Sequence, residues 1–129
     1  MKDIDIMVRE QLLPFREQIL EAFAKQHPVV YTGMKTFLGS RQNKIGMQIL
    51  SGNVAIGVYT FTLEGLNIIR VQEDILEPEM DVPMLGIIRM YMQIDKADIE
   101  KMLHDSDLTG NDIIKAGMKY LPATTIKFL

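Results

Sequence analysis

The N-terminal part of the chain carries apolar residues at the spacing of an amphipathic helix. The stripe consists of Leu12, Phe15, Ile19 and Phe23. Residues three and four positions apart share one helical face, so this pattern predicts a helix. Pro14 either opens that helix in its first turn or kinks a longer helix that begins near Asp5. His27-Pro28 ends it, because the residue before a proline is pushed out of helical geometry.

From Lys44 onward the pattern changes to the period of a strand. The alternating apolar residues are Ile45, Met47 and Ile49. Residues 53–63 and 66–72 predict two further strands, which Glu64-Gly65 joins as a hairpin. Residues 29–43 stay unassigned, although Val29-Val30-Tyr31 is compatible with a short strand.

The second half of the chain predicts a loop, two strands and two short helices. These elements are a loop at 73–83, a strand at 84–94, a helix at 95–104 capped by Asp95, a helix from 109–112 to Gly117 and a last strand at 119–129. The whole chain, 1–129, therefore predicts a single α+β domain. In it an N-terminal helix and two short helices pack on one face of an antiparallel sheet of about five strands.

Composition narrows the class of protein. Cysteine is absent from the 129 residues, which excludes disulfides and thiolate chemistry. A net charge of −3 argues against a nucleic-acid partner. The N-terminus is acidic where a signal peptide would be basic, and no apolar run approaches the roughly 20 residues of a membrane span. We therefore expect a soluble cytoplasmic protein.

Few residues are placed to carry chemistry. The two histidines, His27 and His104, have no partner fixed by sequence, and the acids of 73–83 do not match a calcium loop. The glycines form no nucleotide-binding motif. We expect no catalytic residue, metal or cofactor, and hence a protein that is not an enzyme. An enzyme of unfamiliar class would use His104 with Asp105 or Asp107, or the pair Arg89 and Tyr91, which share a strand face and could hold an anionic head group.

The ending of the chain carries a resemblance to a known family. A strand ends in Gln93-Ile94-Asp95, the short helix 97–103 follows, and a polar loop leads through a second helix into Ala116-Gly117 and the strand 125–129. Together with the order of the earlier elements, this resembles the sterol carrier protein family. The resemblance implies a non-catalytic domain in which the helix-glycine-strand ending covers an apolar tunnel.

These observations lead to a binding hypothesis with one alternative. We expect a pocket for lipid-like or other apolar small molecules between the sheet and its helices. Its candidate lining residues are Phe15, Ile19, Phe23, Phe61, Ile88, Met90, Met92, Met102 and Met118. The same side chains could equally fill a solid core, and an exposed strand edge would then favour a ligand-free homodimer. Segment 73–83 is predicted to be a mobile flap that tucks Ile75, Leu76, Met80 and Val82 over the mouth of the helix–sheet interface.

Overall fold

The computed structural model describes residues 2–129, and within that range it contains five α-helices and seven β-strands. The helices are α1 (Asp3–Ile6), α2 (Leu13–Gln26), α3 (Pro28–Leu38), α4 (Lys96–Leu103) and α5 (Ile113–Met118). The strands are β1 (Gln42–Ser51), β2 (Val54–Glu64), β3 (Asn67–Glu73), β4 (Met80–Val82), β5 (Gly86–Ile88), β6 (Met90–Asp95) and β7 (Thr124–Phe128). A π-helical segment, Met7–Leu12, joins α1 to α2, and 3-10 turns occupy Ser106–Thr109 and Leu121–Ala123.

Five of the strands form the main sheet, in the order β3-β2-β1-β6-β7, while β4 and β5 form a separate hairpin. The predicted α+β class and the five-stranded main sheet are thereby confirmed. The sheet is mixed rather than wholly antiparallel, because β1 and β6 run parallel, with Met47 beside Met92. The chain reaches β6 from β3 by a crossover rather than a hairpin, and a crossover returns a strand in the same direction.

The N-terminal helical run is continuous from Asp3 to Gln26. Pro14 therefore lies inside a longer helix, which was one of its two predicted positions. Proline has no N–H to donate, and the π-helical segment immediately before it is where the regular hydrogen-bond ladder is interrupted. The first turns of this run pack most tightly on the sheet, since Ile4, Met7 and Val8 are all buried.

The core lies between this helical run and one face of the sheet. Its buried residues are Ile4, Met7, Val8, Met47, Ile49, Tyr59, Phe61, Leu63, Ile94 and Ile99. One polar pair is buried with them: the Tyr59 hydroxyl donates to Asp5 Oδ1 at 2.5 Å. Burial of Tyr59, and next its hydrogen bond to Asp5, raise the pKa of this tyrosine well above its ordinary value.

The acid-rich segment crosses the opposite face of the sheet, which we call the far face. Ile45 and Met47 point toward the helices, so Gly46 between them faces the other way. A Cβ at Gly46 would lie 2.6 Å from Leu76 Cδ1 and 3.4 Å from Pro78 Cγ. The predicted position of 73–83 over the helix–sheet interface was therefore wrong, and its residues 75–79 cover the far face instead.

Hydrogen bonds fix this crossing to the sheet. The Thr60 hydroxyl donates to the Ile75 carbonyl at 2.7 Å and accepts from the Glu77 amide at 2.9 Å. The backbones of Lys44 and Glu79 exchange two hydrogen bonds, and Pro78 is fully buried. An extended segment can satisfy its polar backbone in this way while its acidic side chains point to solvent.

Four segments of the chain differ from the sequence analysis. Residues 80–82 of the predicted loop form β4, which pairs with β5. Residues 28–38 form a helix, α3, because Pro28 both ends the preceding helix and suits the first turn of the next one. The predicted strand at 84–94 is split into β5 and β6. Met84 precedes β5 and Gly86 begins it, with positive φ angles of 72° and 82°. The last strand begins only at Thr124, after the 3-10 turn that contains Pro122.

The two short C-terminal helices are capped as predicted but differ in what they pack on. Asp95 accepts from the Ala97 amide at 2.9 Å at the start of α4, which packs on β1 and β6. Asp112 accepts from the Lys115 amide at the start of α5, which packs against α2. No helix among residues 2–129 is long and apolar enough to cross a membrane.

Candidate functional site

A cavity of about 340 Å3 lies beneath α2, between that helix and the main sheet. The helical run contributes Leu12, Leu13, Phe15, Arg16, Ile19 and Leu20 to its wall. The sheet contributes Ile45, Met47, Phe61, Leu63, Ile68, Met92, Ile94 and Thr124, and α4 contributes Ile99 and Met102. Fourteen of these sixteen side chains are apolar.

The cavity forms because α2 stays further from the sheet than the turns before it. No residue of α2 is buried, whereas Met47 and Phe61 on the facing strands are. Interiors of folded proteins are close-packed and contain few voids larger than a water molecule. Ligand pockets occupy about 300–1,000 Å3, so this space has the volume of a small ligand site rather than of a packing defect.

Arg16 is the one charged residue in the cavity wall. Its guanidinium donates to the Leu66 carbonyl at 2.7 Å and lies 3.1 Å from the Glu17 carboxylate. Its side chain is 27% exposed, so it lies where the cavity meets solvent. Thr124 is the only other polar residue of the wall. The interior surface therefore offers an occupant dispersion contacts and burial rather than hydrogen bonds.

The structure brings together five of the nine predicted lining residues. These are Phe15, Ile19, Phe61, Met92 and Met102. Phe23 and Met118 line a neighbouring groove, which Ile19 also borders. Ile88 and Met90 line neither space, because Ile88 belongs to the β4–β5 hairpin and Met90 lies at the start of β6, opposite Phe128. Whether these residues bind a ligand stays a prediction.

Sequence reasoning missed most of the strand residues in the wall. Ile45 and Met47 were recognised as one face of β1, and Leu63 and Ile68 lie on the neighbouring strands. The missing signal was the register: Phe61 pairs with Ile45 across β1 and β2, which places Ile45 beside a residue already selected. Strand alternation alone could have extended the set from Phe61 to Leu63.

The neighbouring groove lies between α2, α3 and α5 and measures about 420 Å3. It is more open than the cavity. Its wall consists of Ile19, Leu20, Phe23, Met34, Ile113, Ile114, Gly117, Met118 and Leu121. Ile19 and Leu20 border both spaces, so the groove and the cavity lie on either side of the same stretch of α2.

The titratable residues considered for catalysis bond to different groups. His104 Nδ1 lies 2.9 Å from the Glu100 carbonyl. Asp105 accepts from the Tyr120 hydroxyl at 2.5 Å and from Lys119 Nζ at 3.0 Å. These two hydrogen bonds, that of Tyr120 first, hold the pKa of Asp105 below its usual value. Asp105 thus ties the end of α5 to the loop before it. Among residues 2–129, no three His, Asp or Glu side chains are grouped to hold a metal ion.

The predicted head-group pair, Arg89 and Tyr91, lies away from the cavity. A Cβ built on Gly46 would lie 2.7 Å from Tyr91 Cβ. Since Gly46 faces the far face, Tyr91 lies on that face as well. Neither residue belongs to the cavity wall. The one cationic side chain that could meet an anionic group of a cavity ligand is Arg16, which the sequence did not single out.

Comparison with known protein families, with curated proteins and with solved structures gives no match for this chain. The function is therefore inferred from the geometry and chemistry of the cavity.

Proposed function

We propose that the protein binds a lipid-like or other apolar small molecule, without catalysis, in the cavity between α2 and the sheet. The observation that carries this proposal is the wall itself: about 340 Å3 enclosed almost entirely by apolar side chains. An apolar ligand would gain about 25 cal/mol for each Å2 of surface that it removes from water. The resemblance of the C-terminal elements to the sterol carrier protein family favours the same class of ligand.

The ligand would enter with its most polar end toward Arg16. That residue is at the rim, and its guanidinium carries five N–H donors, of which the bonds to Leu66 and Glu17 use two. Ile99 on α4 and Ile94 on β6 border the cavity in its buried part, since they are 1% and 6% exposed. A molecule with one polar end and a short apolar body would match this gradient.

Two neighbouring residues on β3 provide a matched test. Ile68 lines the cavity, whereas Ile69 next to it points away and is 51% exposed. Ile68→Phe would place an aromatic ring in part of the space, and Ile69→Phe adds the same bulk elsewhere. In a titration with a fluorescent fatty acid and a fluorescent sterol analogue, we expect saturable binding of at least one probe by wild type and Ile69→Phe. Binding by Ile68→Phe should be at least about tenfold weaker.

The absence of saturable binding of either probe would overturn the proposal. Equal affinities of the two variants would overturn the location of the site. Circular dichroism of both variants establishes that a loss of binding reflects the altered cavity wall rather than an unfolded chain.

One observation favours the alternative, a ligand-free homodimer. β7 is an edge strand of the main sheet, and its Ile126 and Phe128 are exposed by 50% and 66%. An uncovered apolar edge is suited to pairing with a second copy. Sedimentation equilibrium with a Phe128→Lys variant tests this function: a wild-type dimer that the variant dissociates, with no probe binding, would favour the alternative.

A further inference from the structure

α3 is an apolar helix that buries little of its surface. Val29, Val30 and Phe37 are 84%, 53% and 65% exposed. Only Tyr31 and Leu38 of this helix are half-buried. Helices of this length are marginal in water unless they pack an apolar face against something. The exposed side of α3 therefore has the composition of a contact surface without the contact.

The exposed residues of α3 continue into those of α5 across the open groove. Together these exposed apolar residues form what we call the α3–α5 surface: Val29, Val30, Met34, Phe37, Ile114, Met118 and Leu121. Val30, Met34 and Phe37 share one helical face because they lie three and four residues apart. Met34 and Met118 both border the groove, which makes the two parts neighbours. Large contiguous apolar patches of this kind mark interaction sites.

The charges within α3 and in the loop that follows it have one sign. No Asp or Glu occurs between Glu21 and Glu64, although acids outnumber bases in the whole chain. Lys35 Nζ lies 5.6 Å from the centroid of the Tyr31 ring, and the Arg41 guanidinium lies 5.1 Å from that of Phe37. No carboxylate pairs with either cation in the part of the chain that the structure describes.

The α5 side of the surface adds no net charge of its own. Lys115 and Asp112 contribute one charge of each sign, and Lys119 is paired with Asp105. The cationic character of the surface therefore comes from Lys35 in α3 and from Arg41 in the loop after that helix. Cations held against exposed aromatic and aliphatic side chains are the arrangement found in helices that lie in a membrane interface.

We propose that the α3–α5 surface docks the protein on an anionic lipid bilayer. Val29, Val30 and Phe37 would enter the boundary between head groups and acyl chains, while Lys35 and Arg41 would stay among the phosphates. A second copy fits this surface less well. A twofold contact presents the same patch on both sides and would bring the cations of both copies together.

Docking in this way would place the cavity close to the bilayer, because Ile19 and Leu20 border both the groove and the cavity. The docking proposal does not depend on a ligand in the cavity. It is tested with the full chain and with lipid vesicles alone, so the two proposals can fail separately.

The experiment is flotation of the protein with two kinds of vesicle. One is pure phosphatidylcholine, and in the other phosphatidylserine replaces about a third of the lipid. We expect binding to the anionic vesicles that weakens as salt is added. Lys35→Gln with Arg41→Gln should reduce that binding on the order of thirtyfold, since each cation near the surface contributes about 1 kcal/mol.

A second variant tests the apolar part of the contact. Val30→Asp with Phe37→Asp should abolish binding to the anionic vesicles, because two carboxylates replace the apolar contact. Val54→Asp is the control, because Val54 is 66% exposed but lies at the start of β2. We expect it to bind like wild type. All variants change exposed side chains, and circular dichroism establishes that they fold.

Three outcomes would overturn the docking proposal. The first is an absence of wild-type binding to the anionic vesicles. The second is binding that neither double variant reduces, which would place the contact elsewhere. The third is a wild-type dimer in sedimentation equilibrium that Val30→Asp with Phe37→Asp dissociates, together with no vesicle binding, which would make a second copy the partner.

Discussion

The two faces of the main sheet are covered by different kinds of structure and to different densities. On the far face, a single methyl group at Gly46 would overlap Leu76 of the crossing segment 75–79 and Tyr91 on the neighbouring strand β6. On the helix face, the same strand borders a cavity of about 340 Å3. Ile45 and Gly46 are neighbours in the chain, yet one faces free space and the other has none.

The difference follows from what each kind of segment can bring to a sheet. An extended segment can lie in backbone contact with the strands when a glycine leaves room, and it bonds through its own amides and carbonyls, as at Thr60 and Lys44. A helix has all its backbone bonds inside and approaches only as far as its side chains allow. The width of the gap beneath α2 is therefore set by Phe15, Ile19 and their neighbours, and they do not close it.

The largest expected effect comes from adding a methyl group to the closed face. Gly46→Ala should lower the free energy of unfolding by about 1–3 kcal/mol, because the new Cβ would lie 2.7 Å from Tyr91 Cβ, which is fixed by the backbone. Gly33→Ala is the control, since nothing lies within 4 Å of its Cβ position in α3. It should raise stability by about 0.5–1 kcal/mol. Urea denaturation measures both. A cost at Gly46 below about 0.5 kcal/mol would show that the far face is not closed.

The next effect tests whether hydrogen bonds hold the crossing segment in place. Thr60→Val keeps the shape of the side chain but leaves the Glu77 amide and the Ile75 carbonyl without their partner. We expect a loss of about 1–2 kcal/mol and faster hydrogen exchange of the Glu77 amide. Thr62→Val is the matched control, because Thr62 lies two residues along the same face and is also buried, whereas the bonds to Ile75 and Glu77 are made by Thr60. Equal losses in the two variants would contradict the role of Thr60.

The α+β class, the N-terminal helix and strands β1 to β3 could be predicted because their signals are local. A 3.6-residue stripe, a two-residue alternation and a Glu64-Gly65 turn each report their own element. The parallel pairing of β1 with β6 and the crossing over the far face are long-range. No local pattern distinguishes a loop that covers one face of a sheet from a loop that covers the other.

The sequence predicts only part of the cavity wall, because the apolar pattern is local and the placement of each element is long-range. Phe15, Ile19 and Phe61 carry a clear apolar pattern and lie on the cavity. Ile88 and Met90 carry the same pattern but lie outside it. Ile88 belongs to the separate hairpin that Met84 and Gly86 begin with positive φ angles, and Met90 lies at the start of β6, opposite Phe128. The sequence pattern does not predict α3, because Pro28 marks the end of one helix and also suits the first turn of the next. The sequence of α3 alone does not reveal that its apolar face is exposed, because exposure depends on which elements pack against the helix.

A smaller effect is expected when bulk is added on the helix face. Ile45→Phe enlarges the residue next to Gly46, but toward the cavity. We expect its free energy of unfolding to stay within about 1 kcal/mol of wild type, because the cavity accepts the ring without displacing neighbours. The measurement is the same urea titration as for Gly46→Ala. A loss as large as that of Gly46→Ala would mean that the two faces are equally tight.

The smallest effect is a pH dependence of the free energy of unfolding, which appears only in alkaline solution. It tests a part of the helix face that is tightly packed. Tyr59 and Asp5 are buried together beneath α1, beyond the end of the cavity. Since burial and this bond raise the pKa of Tyr59 above its ordinary value of 10.0, the folded chain keeps the phenol protonated where the unfolded chain releases the proton. The stabilisation is therefore fully present below pH 10 and is lost progressively above it, by up to about 1.4 kcal/mol for each pH unit.

Tyr59→Phe removes the titrating group and should show a shallower decline of stability above pH 10, although its stability at pH 7 is lower because Asp5 loses its donor. Urea denaturation at several alkaline pH values, with tyrosinate absorbance followed in parallel, measures both slopes. Equal slopes would mean that Tyr59 ionises within the folded chain, and that the helix face is as open at Asp5 as it is beneath α2.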